Sequence, residues 1–115
     1  MKKVRIYHNP RCTKSRQTLE LLRKRGIEPE VIEYLKTPPS AAEVKGLLEK
    51  LGVEPHALLR KGEAPYKELG LSAKSTKTEV AQAIAGHPIL LERPVVVAGN
   101  KAVIGRPPER ALEIL

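Results

Sequence analysis

The sequence predicts an α/β fold with a mixed four-stranded sheet, ordered β-α-β, helical insertion, β-β-α. Three observations carry that reading. β-forming residues cluster at Lys3-Val4-Arg5-Ile6-Tyr7 and again at Glu30-Val31-Ile32-Glu33-Tyr34. Between them Leu19 and Leu22 recur at helical spacing before Gly26, a residue suited to ending a helix. Near the end of the chain, Pro94-Val95-Val96-Val97 and Lys101-Ala102-Val103-Ile104 flank Gly99-Asn100, a pair that favours a tight antiparallel hairpin.

The elements follow in order. Two strands joined by a single helix lie parallel with a right-handed crossover. Thr37-Pro38-Pro39 then breaks the chain, and Ser40 with Glu43 forms a capping box for a helix carrying Val44, Leu47, Leu48 and Leu51 up to Gly52. A second helical piece is expected from Pro55 through Leu58, Leu59 and Arg60. A third follows the Thr76-x-x-Glu79 signal through Val80 and Ile84. This helical insertion spans about 40–90. After the hairpin, Pro107-Pro108 opens a last helix with Ala111, Leu112 and Leu115 expected on its inner side. At 115 residues the chain suits one domain, 1–115, large enough to bury roughly two-thirds of its unfolded surface.

Composition narrows the function. With 41% hydrophobic and 30% charged residues, the balance is that of a folded domain rather than a disordered chain. No apolar stretch approaches the roughly twenty residues a bilayer span needs, so no membrane partner is expected. Met1-Lys2-Lys3 leads into a charged strand without an apolar signal segment, and with one cysteine this points to the reducing cytoplasm. The formal charge of +8 favours anionic partners. Nucleic acid is not expected: there is no Phe or Trp, only Tyr7, Tyr34 and Tyr66, and neither a zinc-finger nor a ribonucleoprotein motif. A small oxyanion is the simpler partner. His56 and His87 read as structural, and no metal site is expected because neither has a ligand companion at suitable spacing.

Cys12, the only cysteine, falls where the first strand passes through His8-Asn9-Pro10-Arg11 into a helix starting near Thr13. A free thiol with a pKa of about 8.5 is only a few per cent thiolate at neutral pH. Unpaired backbone N–H groups and the positive end of a helix dipole favour the thiolate. A lone cysteine is commonly a small buried hydrophobe, but the polar and cationic neighbours His8, Arg11, Lys14 and Arg16 suit a thiolate better. Ser15 stands where a disulfide oxidoreductase carries its second cysteine, so any redox cycle borrows an external thiol. Position 18 is Thr18, not the arginine of a Cys-x5-Arg phosphatase.

This order matches a thioredoxin-like fold with the nucleophile at the start of the first helix. Arg93-Pro94 stands directly before the third strand, where such domains hold a cis-proline beside the thiol, so Pro94 is expected to be cis. Four segments sharpen the likeness: Tyr7-His8-Asn9-Pro10-Arg11-Cys12-Thr13-Lys14-Ser15-Arg16; Leu58-Leu59-Arg60-Lys61; His87-Pro88-Ile89-Leu90 with Glu92-Arg93-Pro94; and Gly105-Arg106-Pro107-Pro108-Glu109. With these the chain resembles the glutaredoxin-coupled arsenate reductases and their arsenate-reductase-like relatives over nearly its whole length.

The resemblance implies a set of roles. Cys12 matches the cysteine that attacks arsenate, while Arg60, Arg93 and Arg106 match the three arginines that hold the oxyanion. Guanidinium groups suit that work, since they donate paired hydrogen bonds and stay charged. Arg60 reads equally well as a cation at an ordinary helix end. His8 matches a residue that helps hold the thiolate, directly or through Ser15, or else merely satisfies backbone groups before the helix. Asn9 and Ser15 orient the loop or bond the sulfur. The implied reaction needs no bound cofactor: glutathione is the co-substrate, and glutaredoxin resolves the mixed disulfide.

Two further readings remain open. One is a glutathione-dependent thiol oxidoreductase, in which the arginines bind glutathione carboxylates. The other is a thiol-stress transcription regulator that binds RNA polymerase, although such regulators usually carry Cys-x-x-Cys and lack the three arginines. Thr13-Lys14 also departs from the small Gly-Thr pair of the reductases, placing a cation and added bulk beside the sulfur.

Overall fold

In the computed structural model, residues 3–115 are described. Met1 and Lys2, read above as the start of a chain without a signal segment, lie outside the described residues. The elements are β1 (Val4–His8), α1 (Thr13–Lys24), β2 (Glu30–Glu33), α2 (Ala41–Leu51), α3 (Ala64–Glu68), α4 (Lys77–Gly86), β3 (Val95–Ala98) and β4 (Lys101–Ile104), with short 3-10 helices at Pro55–Leu58, Pro88–Leu90 and Pro108–Ile114. They group into two compact units, one of residues 1–37 and 93–115, the other of residues 38–92.

The first unit holds a four-stranded mixed sheet in the order β2-β1-β3-β4. β2 runs parallel to β1, with Ile6 opposite Val31, whereas β3 is antiparallel to β1, with Ile6 opposite Val96. β4 closes the hairpin antiparallel to β3, with Val96 opposite Val103. The two-residue turn works because Gly99 takes φ 63°, the left-handed value that a primed hairpin turn demands at its first central position. The period-two pattern puts Ile6, Val96, Ala98 and Val103 in one core cluster with Leu22 of α1 and Ala111 and Ile114 of the C-terminal segment. Burying a side chain such as Ile6 or Leu22, both wholly buried here, is worth about 1.5–3 kcal/mol, and this packing holds α1 against the sheet.

The last segment differs from expectation. It winds as a 3-10 helix, in which residues three apart share a face, so Pro108, Ala111 and Ile114 point inward while Leu115 is exposed. The anticipated inner stripe of Ala111, Leu112 and Leu115 assumed α-helical spacing.

In the second unit, α2 and α4 supply the apolar faces Val44, Leu47 and Leu48, and Val80, Ala81, Ala83 and Ile84. Ser40 caps α2 by accepting the Glu43 N–H at 3.1 Å, and Gly52 ends it at φ 64°. Thr76 and Glu79 form a complete capping box on α4. The piece expected over Pro55–Arg60 is a 3-10 helix that stops at Leu58. Its continuation is extended: Leu59 bridges Leu91 antiparallel, the Arg60 N–H donates to the Leu90 carbonyl at 2.8 Å, and the Glu92 N–H donates to the Leu58 carbonyl at 2.8 Å. Arg60 is therefore not a helix-end cation. The short α3 was not anticipated, because it buries none of its residues and so leaves no apolar period to read.

Candidate active site

The loop between β1 and α1 is held by its own polar groups. The Asn9 side-chain Oδ1 accepts the Arg11 N–H at 3.0 Å, and the Asn9 carbonyl accepts the Cys12 N–H at 3.0 Å. The Asn9 N–H in turn donates to Ser15 Oγ at 3.0 Å. Arg16, considered as an aid to the thiolate, instead folds back to donate to the Pro10 carbonyl at 3.0 Å and to Thr13 Oγ1 at 3.3 Å. These bonds deliver Cys12 to the N-cap position of α1 in an extended conformation, φ −94° and ψ 122°.

Cys12 is a free thiol, nearly buried at 8% exposure. Burial by itself pushes the thiol pKa up. That effect is outweighed by the backbone N–H groups of Ser15 and Lys14 at the helix start and by a hydrogen bond and positive charge from Arg93, so the thiol is held below its ordinary value. Arg106 adds a longer contact, its Nη2 lying 3.8 Å from the sulfur, while its Nε donates to the Arg93 carbonyl at 2.7 Å. That bond ties the two arginines together. The Arg93–Pro94 bond is cis, as anticipated, and Arg106–Pro107 is a second cis bond that was not.

His8 is buried, and its Nδ1 lies 2.6 Å from Ser15 Oγ. Burial is the main cause holding it below the ordinary histidine value of 6.5, with Arg23 and Arg16 adding to that effect and Glu33 opposing it. A neutral imidazole cannot hold the thiolate as a cation, so its bond to Ser15 is its route to the site. Ser15 is wholly buried and bonds both His8 and the Asn9 N–H. Ser15→Ala will strand two buried polar groups and lower stability by about 1–3 kcal/mol, measurable by urea unfolding. Because the folded His8 value is depressed, its contribution to stability is intact above pH 6.5 and is lost as pH falls through the folded value. The melting temperature should therefore fall more steeply below pH 6.5 in the wild type than in His8→Gln; equal slopes would contradict the neutral assignment.

The structure thus brings together Cys12, His8, Asn9, Ser15, Arg93, Pro94 and Arg106, all within the first unit. Arg60 belongs to the second unit, where its Nε lies 3.4 Å from Glu63 and its Nη1 3.6 Å from Glu92. The sequence reading missed Thr18 and Gly105 as parts of this site. Thr18 is wholly buried, and its Oγ1 donates to the Lys14 carbonyl at 2.8 Å. Gly105 is buried and donates its N–H to the Pro94 carbonyl at 2.9 Å. Gly105 stood inside a quoted motif, but a close tertiary approach leaves no local pattern. Among the described residues, no three His, Cys, Asp or Glu side chains come together to hold a metal ion.

The sheet order, the thiol at the head of the first helix and the cis-proline before β3 define a thioredoxin-like domain. The chain belongs to the ArsC family, which matches residues 7–114. It is 46% identical to an arsenate reductase of Neisseria meningitidis, with all of both chains covered. It is 53% identical to the uncharacterised Escherichia coli protein YfgD, covering 99% of this chain and 98% of that one. Among solved structures, an arsenate reductase from Vibrio cholerae superposes with a TM-score of 0.93 at 50% identity, covering 99% of this chain and 98% of its own.

Proposed function

We propose that this protein reduces arsenate to arsenite, with Cys12 as nucleophile and glutathione and glutaredoxin as the external reductant. The observation that carries the reading is the sulfur's surroundings: a thiol held below its ordinary pKa by helix-start amides and Arg93, with Arg106 at 3.8 Å. The likeness to arsenate reductases over the full chain supports the same reaction.

In this mechanism the Cys12 thiolate attacks arsenic, forming an S–As(V) bond as one oxygen leaves as hydroxide or water. Arg93 and Arg106 neutralise the oxyanion, since charge-assisted bonds from guanidinium groups suit a tetrahedral anion. Asn9 and Ser15 keep the loop in place. A glutathione thiolate then attacks the Cys12 sulfur. The S–As bonding pair departs with arsenic, which becomes As(III), and a Cys12–glutathione disulfide remains. Glutaredoxin takes the glutathionyl group and returns Cys12 to the thiolate, so two thiols are oxidised per arsenate reduced. Cys12 is the chain's only cysteine, so resolution within the chain is not open to it. No described helix is long and apolar enough to cross a membrane, and we place the protein in the reducing cytoplasm, where a lone thiol stays reduced.

The test is arsenate-dependent NADPH consumption, comparing glutathione, glutaredoxin and glutathione reductase with thioredoxin and thioredoxin reductase. Turnover with the first set alone supports the proposal. Turnover with thioredoxin alone would overturn the choice of reductant, and arsenate-independent reduction of a mixed disulfide would point to a general thiol oxidoreductase.

A further inference from the structure

We propose that Gly105 and Thr18 are positioning residues for the arginines: the bare Gly105 backbone packs against both Pro94 and Thr18, and this contact sets where Arg93 and Arg106 stand relative to Cys12. A Cβ placed on Gly105 would lie 3.0 Å from Pro94 Cγ, 3.0 Å from Thr18 Oγ1 and 3.2 Å from Thr18 Cγ2. None of these neighbours is a loose chain end. Thr18 is wholly buried, β-branched in a helix and tied by its hydroxyl to the Lys14 carbonyl at 2.8 Å, while Pro94 is a closed ring. Gly105 also donates to the Pro94 carbonyl at 2.9 Å, so the two backbones already touch.

The consequence comes from sequence adjacency. Arg93 immediately precedes Pro94 and Arg106 immediately follows Gly105, and Arg106 Nε is bonded to the Arg93 carbonyl at 2.7 Å. A shift of a few tenths of an ångström at the Gly105–Pro94 contact therefore passes into both guanidinium groups. Thr18 lies on the same helix as Lys14 and Ser15, whose amides face the sulfur, so the contact joins both sources of positive potential. The absence of a side chain at position 105 is what permits this approach.

The experiment uses Gly105→Ala, Thr18→Ala and the double variant in the full chain. Two quantities are read: the pH midpoint of Cys12 alkylation by iodoacetamide, and arsenate affinity by titration. Gly105→Ala should move the midpoint upward and weaken arsenate binding by about tenfold, because misdirected guanidinium donors make weaker charge-assisted hydrogen bonds. Thr18→Ala should move the midpoint in the same direction by less. The double variant should lie nearer the wild type than Gly105→Ala, because the added methyl then occupies the space Thr18 vacated, a coupling of opposite sign to the single effects. A wild-type midpoint in folded Gly105→Ala, or strictly additive shifts, would overturn the proposal. Should Gly105→Ala not fold, Thr18→Ala decides alone, an unchanged midpoint overturning it. The affinity arm rests on the arsenate reading. The alkylation arm does not, so failure of one is separable from failure of the other.

Discussion

Replacing Cys12 with serine will remove turnover by at least about a thousandfold and leave the protein folded. The two halves of this expectation have separate causes. A serine hydroxyl is far from ionising at neutral pH, and the groups that favour the thiolate here, the Ser15 and Lys14 amides and Arg93, are sized to a thiol's modest acidity. Folding should survive because position 12 is the N-cap of α1, where serine is among the most favoured residues. The melting temperature is thus expected to stay close to the wild type while arsenate-dependent NADPH consumption vanishes. Residual turnover of more than a few per cent would sink the nucleophile assignment.

Arg93→Ala carries the second largest effect and acts twice. Arg93 both bonds the sulfur and contributes positive charge, so its loss raises the Cys12 pKa toward the ordinary thiol value and shifts the pH–rate profile to more alkaline pH. Under the proposed mechanism it also deletes charge-assisted hydrogen bonds to the oxyanion, worth about 1.5–3 kcal/mol, which is roughly 10- to 150-fold in arsenate affinity. Arg93→Lys should restore much of the pH profile but little of the affinity, because a point charge cannot reproduce paired donors. If Arg93→Ala left the alkylation midpoint of Cys12 unchanged, the electrostatic account of the thiolate would fail.

Much of this arrangement was legible in the sequence for local reasons. Gly99-Asn100 announced the hairpin because a two-residue turn needs a positive φ that glycine supplies. Thr76 with Glu79, and Ser40, marked helix starts because their hydroxyls take up otherwise unpaired N–H groups. Cys12 stood out by its place between a strand and a helix. What could not be read was set by tertiary contact or by a change of helical winding. The 3-10 winding of Pro108–Ile114 brings Ile114 inward in place of Leu115, and nothing in that heptapeptide's composition dictates three residues per turn over 3.6. The stretch from Pro55 through Arg60 read as helical because Ala57-Leu58-Leu59 are good helix formers, yet the antiparallel bridge of Leu59 to Leu91 pulls the chain straight after Leu58. The tight approach of Gly105 to Pro94 and Thr18 joins residues distant in sequence. His8 was recognised as a partner of the site, but its neutrality follows from burial, which only the fold reveals.

The central claim is that the Cys12 thiolate reduces arsenate itself. Its most direct test is to quantify arsenite by arsenic-specific chromatography after incubating wild type and Cys12→Ser with arsenate, glutathione and glutaredoxin, with the enzyme's mass measured in parallel when glutaredoxin is omitted. The predicted result is arsenite formation by the wild type alone, and a Cys12–glutathione disulfide that accumulates until glutaredoxin is added. Arsenite at equal rates from both proteins, or none from a wild type whose Cys12 alkylates readily at neutral pH, would contradict it.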